Sequence, residues 1–147
     1  MSLLTYYFAA PDDVAAAGVI DIAGGPAADP HGWPTIRLDG LEPVVTLGTL
    51  EEFLTRRPYR SVVANPRQGH VLVERAETMV VTVTDELRGA LASADRSALT
   101  EVAEVWAVAE ELDSADPFAM AKALVALAGL CRDAESRGEP VYCWLAA

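Results

Sequence analysis

Lysine is nearly absent from this 147-residue chain: Lys122 stands alone against ten arginines, and there are only two cysteines and two histidines. Each scarcity excludes something. Eleven basic residues against 22 acidic ones leave a formal net charge of −11, a field that repels phosphate backbones and argues against nucleic acid as a partner. A basic protein is easier to accommodate. Cys131 and Cys143 are too few for a disulfide framework, and in a cytoplasmic setting they are expected to be thiols. His31 and His70, taken with the two cysteines, match no zinc spacing, so no metal and no other cofactor is expected. G-x-S-x-G, H-E-x-x-H and a glycine-rich phosphate loop are all missing, so no catalytic residue is nominated.

Long apolar runs are missing too. The longest, "ALVALAGLC" at 123–131, is far short of the roughly 20 residues a membrane span needs. The opening "MSLLTYYFAA" has no preceding positive charge and meets Asp12 and Asp13 at once, unlike a secretory signal. A cytoplasmic location without membrane attachment is the expectation.

What is present reads as one α+β domain over 1–147, large enough to bury roughly two-thirds of its unfolded surface. "LLTYYFAA" at 3–10 is apolar on both faces, the mark of a covered strand. "PDDVAAAG" offers Pro11, two acids for a first turn and Gly18 as a stop, hence a short helix. Residues 21–42 are dominated by helix and strand breakers and predict a long loop with a brief extended piece at "TIRL". Thr49 and Glu52 stand at capping-box spacing, which predicts a helix running to about Thr55. "YRSVVAN", "GHVLVE" and "MVVTV" are β-rich and predict a hairpin or meander, with helix as the alternative over 71–78.

Beyond Thr84, a candidate cap, the pattern becomes helical. In 95–113 Leu99, Val102, Trp106, Ala109 and Leu112 form an apolar stripe, with Glu101, Glu104 and Glu111 opposite it and Glu110 nearer its margin. Asp116 and Pro117 open a further helix to about 137 in cap-then-N1 order. Its Met120, Leu124, Leu127, Cys131 and Ala134 line is flanked by Ala121, Val125 and Ala128, so it should be largely buried. After Gly138 and Pro140, "VYCWLAA" alternates apolar residues on both sides. It predicts a second covered strand beside "LLTYYFAA", with Cys143 a core thiol rather than a nucleophile. The expected fold is a small mixed or antiparallel sheet holding both terminal strands, with the two longer helices of the C-terminal half packed on it.

Three surfaces could carry function. The Phe53–Val73 segment holds Arg56, Arg57, Arg60 and Arg67 and no acid, whereas Thr84–Asp116 holds nine acids against Arg88 and Arg96. The acidic face (Glu101, Glu104, Glu110, Glu111) suits a basic partner. The arginine segment suits an acidic or phosphorylated one. "DPHGWP" joins Asp29, His31 and Trp33 in a rigid loop that could line a small-ligand pocket. The opening "YYFAAPDD", the "DELRGALA" step, the tryptophan-bearing acidic helix and the closing "GEPVYCW" together resemble small uncharacterised bacterial proteins of GC-rich genomes, a resemblance that implies no activity. The expected role is a cytosolic accessory or immunity-type binding module, for which homo-oligomerisation is also compatible; the alternative is a ligand binder or enzyme built on the 29–34 loop.

Overall fold

Apolar residues on both faces of β1 (Leu4–Ala9) and β5 (Val141–Ala146) force these strands into the middle of a sheet, where each face is covered. The computed structural model describes residues 4–38, 41–107 and 117–147. It contains a five-stranded antiparallel sheet in the order β2-β1-β5-β4-β3, with β2 at Thr35–Arg37, β3 at Val71–Arg75 and β4 at Thr78–Thr82. β1 and β5 pair along their whole length, from Leu4 opposite Ala146 to Ala9 opposite Val141.

The two-residue period then sorts side chains into two cores. Tyr7, Ala9, Val81, Val141, Cys143 and Leu145 point to one face, buried with the apolar sides of the larger helices. Phe8, Val80, Tyr142 and Trp144 point to the other, covered by α1 (Asp13–Gly18), two short 3-10 turns at Val19–Asp21 and Pro26–Ala28, and the half-buried Trp33. β3 keeps its contribution to the second core through a bulge: Val71 faces Val81 and Val73 faces Val80. That extra residue lets both Leu72 and Val73 pack on the same side.

On the first face, α6 (Pro117–Arg137) lies across the sheet and against α4 (Asp85–Ser93), and α5 (Arg96–Ala107) packs on α6. α6 buries Leu124, Leu127, Ala128, Cys131 and Ala134, with Met120 partly covered, which is the expected line. Leu99 and Val102 of the α5 stripe are buried. Ala109, Leu112 and the Trp106 side chain lie outside the described residues. Thr84 caps α4 as expected, its hydroxyl accepting the Leu87 N–H at 3.1 Å. Pro117 opens α6, while Asp116 lies outside the described residues.

Two expectations are corrected. The "YRSVVAN" segment is no strand but a helix, α3 (Tyr59–Val63), entered from Pro58 with extended backbone. Its Val62 is buried while Val63 is exposed, so helical phase outweighs the strand preference of adjacent valines. The Thr49/Glu52 capping box does not form either. α2 begins at Val45 and runs to Thr55, because the Glu42 carboxylate accepts the N–H groups of Val44, Val45 and Thr46 at 2.5–2.9 Å. Thr49 therefore sits inside the helix, donating to the Val45 carbonyl, and Glu52 accepts the Tyr59 N–H and ties α3 to α2. The 71–78 stretch is β3 and the hairpin turn into β4, with Ala76 in the left-handed region.

Candidate functional site

The two charge poles are built from helix surfaces. α5 turns Leu99, Val102 and Ala103 inward and leaves Glu101 and Glu104 exposed, as an amphipathic period requires. Glu110 and Glu111 lie outside the described residues. The arginine segment divides. Arg56, Arg57 and Arg60 are exposed, with Arg56 terminating α2 in the left-handed conformation. Arg67 instead makes a two-pronged bond to Asp13, both contacts at 3.0 Å. Asp13 also accepts the Tyr142 hydroxyl at 2.7 Å. Hydrogen bonds from Arg67 and then Tyr142 hold the Asp13 carboxyl below the usual carboxylate range, so Arg67 is committed to Asp13, which ties α1 to β5, rather than standing open to a ligand.

One groove is lined from both poles. A groove of about 360 Å3 between α2 and α5 is lined by Phe53, Leu54, Arg56, Ala98 and Glu101. Its floor is apolar, with Phe53 38% exposed, and its rim carries one charge of each sign. A second groove of about 250 Å3, between α5 and α6, is lined by Arg96, Thr100, Ala121, Lys122 and Val125.

In the 29–34 loop the polar groups are turned on one another. Asp29 accepts the Trp33 indole N–H at 2.7 Å and the His31 backbone N–H at 2.9 Å. The backbone bond and then the indole bond lower its carboxyl pKa. The His31 ring stacks on Trp33 with centroids 3.8 Å apart and planes 17° from parallel. Trp33 packs on the second core while His31 stays exposed. These three residues line neither groove described above nor the crevice described next.

Both thiols are buried. Burial pushes Cys131 up to about 12 and Cys143 well above the ordinary thiol value, so neither is a thiolate near neutrality. Among the described residues no group of three or more His, Cys, Asp or Glu is placed to hold a metal ion, and no helix is long and apolar enough to cross a membrane.

One polar group stands out that the sequence pattern did not single out. Glu51, on the inner side of α2, is 1% exposed. Its Oε1 accepts the hydroxyl of Thr84, the residue that caps α4, and its Oε2 has no hydrogen-bond partner. Burial raises its pKa, and the Thr84 bond opposes this only in part. Glu51 and Glu52 are adjacent acids in one helix, and Glu51 is the one enclosed, among Leu47, Gln68, Gly69, Thr82, Thr84 and Leu87. No family model, curated protein or solved structure matches the chain.

Proposed function

We propose that this domain is a protein-binding module of accessory or immunity type, which captures a basic partner on the exposed acidic side of α5. The supporting observation is the α2–α5 groove: Glu101 stands at the rim of an apolar floor made by Phe53, Leu54 and Ala98, and Glu104 is exposed one turn further along the same helix. An aromatic anchor site beside the Glu101 and Glu104 carboxylates suits a partner segment that carries an apolar residue followed by Lys or Arg on the α5 side, away from Arg56. The carboxylates would act chiefly on the speed of encounter and its salt dependence.

The competing surface is the Arg56, Arg57, Arg60 trio, which would take an acidic or phosphorylated partner. Reversal of Glu101 and Glu104 to Lys, set beside reversal of the three arginines to Glu, separates them. In salt-graded capture with the retained proteins identified by mass spectrometry, the acid reversal is expected to slow capture of basic proteins about tenfold or more at low salt. The melting temperature should stay near that of the parent chain, because exposed substitutions seldom cost more than about 0.5 kcal/mol. Loss confined to the arginine variant would move the binding surface there. Undiminished capture by both variants would leave the charges as solubility features.

A further inference from the structure

Glu51 is the one described carboxylate with an oxygen that is both buried and without a partner. It lies at the bottom of a crevice lined also by Pro43, Gln68, Gly69, Thr82 and Thr84. The room there is about 10 Å3, the space of a single water.

No neighbouring group donates to Oε2. The Thr84 hydroxyl donates to Oε1 and accepts from Leu87, the Thr82 hydroxyl donates to the Arg67 carbonyl, and the Gln68 amide donates to the Val44 carbonyl at 2.7 Å. An ionised carboxylate is an acceptor at both oxygens, so in this setting it leaves a buried, charged Oε2 with no protein donor, a costly state. The protonated acid fits instead: Oε1 serves as the carbonyl acceptor for Thr84, and an Oε2–H points a donor at the crevice and its one water site.

We propose that Glu51 is a proton-operated latch, which as the neutral acid closes α2 onto the β4–α4 corner and on losing its proton draws water into the crevice and loosens α2. The charged groups bearing on it are few. From α4, Glu86 opposes ionisation, and its own carboxylate is held by the Asn65 amide. From the end of α2, Arg57 favours ionisation. The 68–69 turn and the end of β4 face it with the neutral Gln68, Gly69, Thr82 and Thr84. Unlike the proposed capture of a basic partner, the latch concerns the inner side of α2 and stands without it.

The sign follows from linkage. A carboxyl whose pKa is higher closed than open contributes full stability below the open-state value, ordinarily 4.5, and loses it as pH rises through the closed-state value. Between the two, the opening constant of α2 should grow about tenfold per pH unit and then level off.

Two measurements on the full chain test this. The carboxyl 13C resonance of Glu51, followed through the acid and neutral range in the parent protein, should titrate above 4.5; a midpoint at or below that value overturns the proposal. Amide hydrogen exchange at Leu50 and Leu54, corrected for intrinsic rates, should show the rising opening constant in the parent and a flat one in Glu51→Gln, with exchange in α6 unchanged in both. Equal slopes in parent and variant would also overturn it. Should Glu51→Gln not fold, the 13C titration decides alone.

Discussion

Gly25 has a φ of 80°, and a Cβ placed on it would lie 2.7 Å from the Trp144 indole. The backbone of the covering loop therefore rests directly on a ring of the second core, a closeness only glycine permits. Gly25→Ala combines left-handed strain with a ring collision and is expected to cost about 2–4 kcal/mol. Gly32 has a similar φ of 77° but open space around it, so Gly32→Ala should cost only about 1 kcal/mol from backbone strain. Urea titration of both variants checks the difference, which isolates the contact with Trp144. At this scale the sequence was readable where a residue's neighbours along the chain determine its surroundings. Cys143 sits in an alternating apolar run and is in the core. Glu51 was not readable, because its burial depends on Thr84, which lies 33 positions away.

The first turn of α2 is capped by the Glu42 side chain. Glu42 takes three N–H groups of the first turn, all of them orphans by helix geometry, so Glu42→Ala should cost about 1–2 kcal/mol. The expected outcome for Thr49→Ala is a change within about 0.5 kcal/mol, since that hydroxyl bonds a carbonyl already used by the helix. Thermal melts of the two variants distinguish a cap at 42 from one at 49. Elements with a strong period were legible before the structure: β1, β5, α4, the described part of α5, and α6. Those set by a distant partner were not. α3 reads as a strand because Val62 and Val63 favour one, and it becomes helix because Glu52 holds the Tyr59 N–H at 3.0 Å. The acidic side of α5 was legible by phase at Glu101 and Glu104, but the groove beside them needs Phe53 and Leu54 of α2, which no local pattern brings near.

Across the whole molecule the sheet depends on its middle. β5 pairs with β1 on one side and β4 on the other, and Val141, Tyr142, Cys143, Trp144 and Leu145 are all buried. A chain ending at Glu139 loses five such side chains at about 1.5–3 kcal/mol each, as much as the 5–15 kcal/mol that holds an ordinary domain together. It is expected to lack a cooperative melt and dispersed amide resonances, and a truncated chain that kept both would contradict the central role of β5. The β1–β5 pairing also has a consequence in time. Ala9 meets Val141, so β1 leaves the ribosome long before its partner has been made, a wait of roughly ten seconds at ordinary rates of synthesis. Throughout that interval "LTYYFA" has an unpaired edge and bare aromatic rings, the exposure that invites aggregation. Helical pairs such as α5 and α6 form from neighbouring stretches of chain, but β1 must wait for β5, and a chaperone that shields residues 4–9 during synthesis would raise the yield of folded protein more than one acting on any later segment.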